Sequence, residues 1–325
     1  MPSTIRSYFP KDFIETAEGL CFAVVQHGVE TCGNQEKVLC FLRYIKRQDS
    51  ENRSWHKVST ESANAYLERH FPQYLYHSPV LDASLHGVGT GLITRHHRPR
   101  LRLQQIMASR QRDPVEQDLF DLCRLYQDNG LDLSLVGVTG SVLIGVQQSA
   151  SDIDLVLYDR TLFHKARLLT QKLIECKQLS ELEEQGWHES YARRSCALSL
   201  ASYVWHERRK YNKALVNGRK FDLNLVVEPL DDNITQYKKC GAIVLQRKVT
   251  DDFYGFDYPA LFTIDDKAVG SVVCFTATYT GQAVTGEMVE IAGLVEQAED
   301  GRKRIVVGSS REAPGEFIKV VACPD

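Results

Sequence analysis

The sequence predicts an α+β protein with a small β-rich N-terminal module, a mixed core, and a compact, barrel-like β module at the C-terminal end. Three observations support this prediction. Between Phe13 and Lys46, β-rich runs alternate with glycine-bearing turns, which is a hairpin signal. Between residues 113 and 227, apolar stripes at helical spacing alternate with short strand-like runs. Past Pro259, the chain consists of short β runs separated by turns.

Composition divides the chain into four predicted parts. The N-terminal module, a helical and basic connector, the core and the C-terminal module span residues 1–58, 59–112, 113–258 and 259–325. In the connector, STESANAYLERHF predicts a capped helix. The basic run at 95–112 is explained equally well by contact with a nucleic-acid backbone and by an ordinary edge strand or amphipathic segment. Its candidate contact residues are Arg95, Arg98, Arg100 and Arg102.

The predicted core begins with a well-defined helix. Asp113 is its N-cap candidate, Pro114 suits the first helical position, and the pair Asn129-Gly130 supplies the stop. A strand, a short helix and a second strand are predicted from LDLSLVGV, SVLIGV and DIDLVLY. A helix from Thr161, helical signal around 192–213 and a third strand, FDLNLVV, complete the core.

Composition also excludes several classes of protein. The 325 residues are 43% hydrophobic and 25% charged, which is typical of a folded chain. Because the net charge is −3, any nucleic-acid site must be a local basic patch. No apolar run is long enough for a membrane span, and the N-terminus has no signal segment. The nine cysteines contain no CxxC pair, which predicts reduced thiols in the cytoplasm and argues against a zinc site.

Two aspartates in the second core strand are the strongest candidates for chemistry. Asp152 and Asp154 stand two residues apart, so on a strand both side chains point to the same face. Neighbouring carboxylates repel each other unless a cation lies between them. Oxygen ligands suit Mg²⁺ or Mn²⁺, which often carries substrate phosphates as well. A third carboxylate is expected from a neighbouring strand, and Asp222 in FDLNLVV is the candidate.

A glycine-serine pair stands eleven residues before the first of these aspartates. Gly140 and Ser141 lie between a predicted strand and a predicted short helix. Glycine lets the backbone approach a phosphate closely, while the helix N-terminus and the serine hydroxyl supply hydrogen-bond donors. A plain helix cap, with Ser141 as the N-cap, is compatible with the same residues.

The motifs TGS and SDIDLVLYD, with FDLNLV downstream, resemble those of the polymerase-beta-like nucleotidyltransferase superfamily. Together with the segment ERRKYNKA, they resemble more narrowly an uncharacterised prokaryotic family of nucleotidyltransferase-domain proteins. The resemblance implies a mixed sheet packed by helices, with its specific part at about residues 131–227. It also implies the transfer of a nucleotidyl group from an NTP.

Carried over by position, the resemblance implies a role for each candidate residue. Gly140 and Ser141 would hold the triphosphate. Asp152 and Asp154 would bind the metal ions, Mg²⁺ or Mn²⁺. Asp222 would be a further metal ligand and would activate the acceptor hydroxyl. For Asp222, the structural alternative is an ion pair with the neighbouring Arg219 or Lys220.

Cations for the triphosphate must come from outside the glycine-serine motif. Members of the superfamily often have a basic or small polar residue just after that motif, whereas this chain has VLI at 142–144. The basic run HERRKYNKALVNGRK supplies Arg209 and Lys213 as candidates, because a helix would place them on one face. The alternative is an ordinary solvated charged face.

The leading functional hypothesis is a metal-dependent nucleotidyltransferase that attacks the α-phosphate of an NTP and releases pyrophosphate, with RNA as a candidate acceptor. A second hypothesis is a nucleic-acid-binding or regulatory protein on a catalytically degenerate fold of the same kind. A third is a glycosyltransferase that holds a nucleotide-sugar with its Asp-x-Asp motif. The third hypothesis leaves the glycine-serine pair and Asp222 unexplained.

Overall fold

The protein folds as two units of mixed α and β structure, which agrees with the predicted α+β class. A computed structural model describes residues 8–32, 35–48, 53–194, 196–227, 235–310 and 313–324. The first unit contains the described residues up to Ser78 and those of Ser84–Tyr158. The second contains Pro79–Ala83, Asp159–Val227 and the described residues beyond 234. No helix in these ranges is long and apolar enough to cross a membrane.

The first unit combines a large sheet with helices and two further strands that pair with each other. Its elements are β1 (Phe13–Thr16), β2 (Leu20–Val24), β3 (Glu30–Cys32), β4 (Gln35–Gln48), β5 (Arg53–Lys57), α1 (Thr60–His70), β6 (Leu75–Ser78), β7 (Ala83–Gly89), β8 (Ile93–His97), α2 (Pro99–Ala108), α3 (Pro114–Asp128), β9 (Val136–Thr139), α4 (Gly140–Ile144) and β10 (Ile153–Leu157). The sheet has the order β6-β7-β4-β2-β1-β8, and β3 and β5 also pair with β4. Because β2 and β4 pair antiparallel, the predicted N-terminal hairpin is confirmed.

Helix α3 begins and ends where the sequence predicts. The Asp113 carboxylate accepts a hydrogen bond from the backbone N–H of Glu116 at 2.9 Å, which satisfies one free donor of the first turn. Pro114 occupies the first turn, and the helix ends before Asn129. Its apolar stripe is buried, as the 3.6-residue period requires. The buried side chains are Val115, Leu119, Leu122, Cys123 and Tyr126.

The basic connector forms a strand and a helix of the first unit. Arg95 lies on β8, an edge strand of the sheet, Arg98 is the N-cap residue of α2, and α2 packs against β9. Arg95, Arg98 and Arg100 are exposed, so both predicted roles of the connector stay open.

The approach of α2 to β9 is close, because a Cβ on Gly137 of β9 would lie 2.7 Å from the backbone of Pro99 and Arg100. Arg102 donates to the carbonyl of Val142 at 3.0 Å and pairs with Glu116 at 2.5 Å. Arg102 therefore holds α2, α3 and α4 together.

The second unit contains three helices, a hairpin and a six-stranded sheet. Its elements are α5 (Arg160–Glu175), α6 (Glu184–Ala192), α7 (Leu200–Arg208), β11 (Lys213–Val216), β12 (Arg219–Leu225), β13 (Tyr237–Asp251), β14 (Ala260–Ile264), β15 (Ser271–Cys274), β16 (Met288–Ala298), β17 (Lys303–Val307) and β18 (Phe317–Val320). The sheet order is β13-β14-β15-β17-β16-β18, and β13 also pairs with β16. This extra pairing closes five strands into a ring, as expected of a barrel-like module.

The predicted helical signal around 192–213 is only partly correct. Helix α6 ends at Ala192 and α7 ends at Arg208, whereas Lys213 begins strand β11. The reason lies in the pair Asn217-Gly218, which has φ values of 51° and 80°. Left-handed residues of this kind form a two-residue hairpin turn, so the residues on both sides pair as β11 and β12.

His206 joins α7 to β18 through two buried hydrogen bonds. Its Nε2 accepts from the backbone N–H of Val320 at 3.1 Å, so Nδ1 carries the proton and donates to the carbonyl of Ser202 at 2.7 Å. Only 1% of its surface is exposed. Burial disfavours the charged imidazolium and lowers the pKa of His206 to about 4.

We expect His206 to make the protein less stable in acid. The folded state takes up this proton near pH 4 and the unfolded chain near pH 6.5, so the free energy of unfolding falls as the pH drops from 6.5 to 4, by up to about 3 kcal/mol. Urea unfolding across this range measures the loss. His206→Gln should flatten the pH dependence, whereas the control His188→Gln, at an exposed histidine of α6, should preserve it. Equal pH dependence in both variants would contradict the assignment.

Candidate functional site

The glycine-serine pair and the aspartate strand meet in the first unit. Strands β9 and β10 pair antiparallel, with Thr139 opposite Asp154, and α4 begins directly after Thr139 at Gly140. Gly140 has φ +67°, and a Cβ there would lie 2.5 Å from Oδ2 of Asp154. The turn therefore needs glycine both for its left-handed backbone and for the close approach of the carboxylate.

The two aspartates stand at the start of β10. Asp152 directly precedes the strand and Asp154 is its second residue. Ile153, between them, is fully buried, as is Leu155, whereas both aspartates are half-buried. The strand thus directs its apolar side chains into the core and leaves both carboxylates partly accessible, as alternation predicts.

The structure corrects the predicted role of Ser141 as a helix cap. The N-cap of α4 is Thr139, and its hydroxyl donates to the carbonyl of Lys11 at 2.6 Å instead of capping the helix. Ser141 is the second residue of α4 and is half-buried. The prediction was wrong because the left-handed turn at Gly140 lets the helix begin one residue before the serine.

The apolar residues that follow the glycine-serine pair attach α4 to the N-terminal sheet. Leu143 packs with Phe13, Cys21 and Tyr44 in one buried cluster. Burial raises the pKa of Tyr44 to about 12, and the negative charge of Asp154 adds to this shift. At these positions the side chains serve packing, which is why basic residues are absent.

Asp222 lies in the second unit, within a cluster of charged side chains that we call the lysine–carboxylate cluster. Its members are Glu207, Lys210, Lys213, Lys220 and Asp222. Glu207 of α7 pairs with Lys210 at 2.5 Å and also with Lys213. Asp222 pairs with Lys220 at 2.9 Å and with Lys213 at 3.5 Å, the residue opposite it in the β11–β12 hairpin.

Burial and ion pairing compete within this cluster. Burial alone would raise the pKa of Glu207, but the ammonium groups of Lys210 and Lys213 outweigh it and hold this pKa below its ordinary value. The same competition lowers the pKa of Asp222, where Lys213 and Lys220 outweigh burial. Burial lowers the pKa of Lys210 to about 8, although the Glu207 charge opposes that shift.

The proposed triphosphate ligands Arg209 and Lys213 are not on one helical face. Helix α7 ends at Arg208, so the reason given for choosing them from the sequence was wrong. Arg209 pairs with Glu287 at 2.6 Å, and its guanidinium lies 4.6 Å from the ring centre of Trp205. Lys213 is buried between two carboxylates. The structural alternative predicted for Asp222 was an ion pair with Arg219 or Lys220. Such an ion pair is present, and the partner of Asp222 is Lys220.

Sequence reasoning missed Glu207 and Lys210 as members of the cluster. Their spacing of three residues is one at which side chains meet on a helix, and that spacing was the available signal.

The described residues offer few candidates for a metal centre. Among the described residues, no group of three or more His, Cys, Asp or Glu side chains is arranged to hold a metal ion. Asp152 and Asp154 supply two carboxylates, which suits Mg²⁺ held by one or two carboxylates together with substrate phosphates.

Comparison with known proteins finds a relative that aligns with nearly the whole chain. Uncharacterized protein MJ1086 of Methanocaldococcus jannaschii is 32% identical over 339 aligned positions, which cover 95% of this chain and 98% of that protein. The chain belongs to the MJ1086 family. No protein-family model and no solved structure matches the chain. Membership of the MJ1086 family therefore assigns no activity to the chain. The function of the site must be inferred from its residues.

In this member of the MJ1086 family, Gly140→Ala should destabilise the fold more than Gly145→Ala. The two glycines have φ values of 67° and 71°, so either substitution incurs left-handed strain of about 1–2 kcal/mol. Only the Cβ at 140 meets another group, since nothing lies within 4 Å of a Cβ at 145. Urea unfolding should show an extra loss of about 1–3 kcal/mol for Gly140→Ala.

The collision predicted at Gly140 involves the Asp154 carboxylate specifically. In an Asp154→Ala background, the two glycine substitutions should therefore cost nearly the same free energy of unfolding. If the difference between them persisted in that background, the contact between Gly140 and Asp154 would not be its cause.

Proposed function

We propose that the protein is a metal-dependent nucleotidyltransferase that transfers a nucleoside monophosphate from an NTP to an acceptor hydroxyl and releases pyrophosphate. One observation carries the proposal. The glycine turn at Gly140 lies directly against the Asp154 carboxylate, and Asp152 stands two residues away. A backbone suited to phosphate and a carboxylate pair suited to Mg²⁺ or Mn²⁺ thus occupy one corner of the first unit. RNA is the acceptor class that we propose to test first.

Each residue of this corner has a separate task in the proposal. Asp152 and Asp154 would hold the metal ion, which when bound neutralises phosphate charge and favours displacement at the α-phosphate. Because the Asp154 carboxylate contacts Gly140, a phosphate on that ion would lie within reach of the backbone at 140. The Ser141 hydroxyl, which is not used as a helix cap, would donate to the same phosphate.

Asp222 has the chemistry of a base but is held by lysines. Its lowered pKa keeps the carboxylate ionised at neutral pH, which is the state that accepts a proton from an acceptor hydroxyl. To act on an acceptor, it must exchange its contact with Lys220 for one with the hydroxyl. In the proposal, Lys213 keeps Asp222 oriented through the facing position of the hairpin.

The pairing of Asp222 also favours a second candidate function. A protein that binds nucleotide or nucleic acid without catalysis needs no free third carboxylate, and here both Asp222 oxygens contact lysines. In that case the cluster would be purely structural. The two candidates differ in one measurable property, the covalent transfer of the nucleotide.

The experiment that tests the proposal follows the α-phosphate. The protein is incubated with each NTP labelled at the α-phosphate, with Mg²⁺ or Mn²⁺, and with fractionated cellular RNA, protein and metabolites. We expect label to become covalently bound in one fraction, with one pyrophosphate released per transfer. The matched control uses γ-labelled NTP, whose label should appear only in pyrophosphate. Transfer of the γ-label to the acceptor would instead indicate a kinase, and no transfer of either label would favour the second candidate.

Asp152→Asn and Asp154→Asn should each remove nearly all transfer, because one carboxylate and one amide neutralise the cation poorly. The expected loss of turnover is at least about 10²-fold. Thermal unfolding should change little, since each substitution relieves repulsion between two neighbouring carboxylates. Asp128→Asn, at an exposed aspartate of α3, is the matched control and should retain full turnover. Near-normal transfer by Asp152→Asn with Mg²⁺ would exclude this aspartate from the site.

Asp222→Asn should lower turnover by about 10²–10⁴-fold, the usual effect of losing a general base, while NTP affinity stays within a few-fold. It should also destabilise the protein, because Lys213 and Lys220 each lose one carboxylate partner. Lys220→Met breaks the same ion pair but keeps the carboxylate, so it separates the two effects. If Asp222 is only structural, both variants lose stability and neither loses turnover per folded molecule.

A further inference from the structure

A cavity of about 870 Å³ opens in the second unit between α6, α7 and the turn that follows α7. Its volume lies within the range of sites that bind small organic molecules. The residues that matter for its chemistry are Trp187, Leu200, Val204, Trp205, Arg208 and Tyr211. Neither the proposed metal-binding corner nor the lysine–carboxylate cluster supplies any of these residues.

The walls of the cavity favour a flat aromatic ligand. Trp187, Trp205 and Tyr211 line it together with the apolar side chains of Leu200 and Val204. The guanidinium of Arg209, which also lines the cavity, already stacks on the Trp205 ring. Aromatic rings and arginine planes are the surfaces on which unpaired nucleobases stack in proteins.

Trp187 contributes its ring to the wall of the cavity and not its N–H. The side chain is only 4% exposed and the Nε1 atom itself is buried, so a ligand in the cavity meets the ring alone. Recognition of the ligand by Trp187 is therefore by stacking.

Arg208 supplies a cation at the edge of the same cavity. Its side chain is 56% exposed, and its Nε lies 3.7 Å from the nearest carboxylate oxygen of Glu181, beyond hydrogen-bond distance. A loosely paired, accessible guanidinium can bind a phosphate with two parallel hydrogen bonds. The cavity thus offers an aromatic wall and an anion-binding group.

We infer that this cavity binds a nucleoside monophosphate, with the base against the aromatic wall and the phosphate on Arg208. The site goes beyond the proposed transferase centre, because it uses neither Asp152 nor Asp154 and needs no metal ion. Binding here and transfer at the aspartates can therefore succeed or fail independently.

Intrinsic tryptophan fluorescence tests this inference directly. The chain has three tryptophans, and two of them line the cavity, so Trp55→Phe removes the only other one and leaves Trp187 and Trp205 as reporters. In this background, with EDTA present, AMP should quench the fluorescence saturably with a dissociation constant below about 1 mM. Adenosine should bind more weakly and ribose 5-phosphate should not quench. Absence of saturable quenching up to about 10 mM AMP would overturn the inference.

A conservative variant tests the phosphate contact. Arg208→Gln should weaken AMP about tenfold and leave adenosine unchanged, because only the phosphate contact is lost. Arg193→Gln, at an arginine that is 60% exposed and does not line the cavity, is the matched control. Equal effects of Arg208→Gln and Arg193→Gln would overturn the phosphate assignment.

Two further outcomes are decisive. AMP binding should persist unchanged in Asp152→Asn, whether or not that variant transfers nucleotide. Loss of binding there would show that the signal reports the aspartate corner and not the cavity. If N-acetyltyrosinamide quenched as strongly as AMP, the occupant would be an aromatic side chain of a protein partner and the nucleotide assignment would be wrong.

Discussion

A carboxylate can remain inside a protein only when cations or hydrogen-bond donors replace the water that it loses, and both units of this chain are organised by that constraint. In the second unit, Glu207 is only 3% exposed and lies between two lysines. Because Glu207 belongs to α7, Lys210 to the turn after it and Lys213 to the start of β11, the helix and the hairpin must keep a fixed position relative to each other. Lys213 then extends the same neutralisation to Asp222 across the hairpin.

In the first unit, the aspartate pair lies beside a glycine turn. Asp152 and Asp154 stay half-buried at the start of β10, where the apolar residues of the strand anchor it and the glycine turn approaches one carboxylate. Two like charges at this spacing favour a cation between them. Lysines of the chain itself neutralise Glu207 and Asp222. Asp152 and Asp154 are the carboxylates for which we propose a metal ion.

This difference shapes the functional proposals. The aspartate corner supports phosphate and metal chemistry, because its backbone and its carboxylates are in contact. The cavity between α6 and α7 supports our inference of a base-binding site, because its walls are aromatic. MJ1086 aligns with 95% of the chain, and the alignment covers 98% of MJ1086, so this relative shares the length of the chain.

The sequence by itself determined the elements and the motif contact. The Asp113 cap, the α3 stripe and the strands that hold Asp154 and Asp222 follow from local hydrogen bonding and side-chain periodicity, which neighbouring residues encode. The contact of Gly140 with Asp154 was also foreseeable, because a strand, a turn and a returning strand bring nearby segments together. The hairpin at Asn217-Gly218 carried a local signal too, although the charge run before it favoured a helix.

Only the tertiary structure decided which ion pairs the charged side chains form. The partners of Lys213 and Asp222 depend on strand register and on the packing of α7, and neither is readable from the spacing of charged residues along the chain. The same is true of the packing of the residues after Ser141 against Tyr44, and of the cavity that Trp187 and Trp205 share with Arg208. Side-chain types specify which interactions are possible, whereas long-range packing selects the pairs that form.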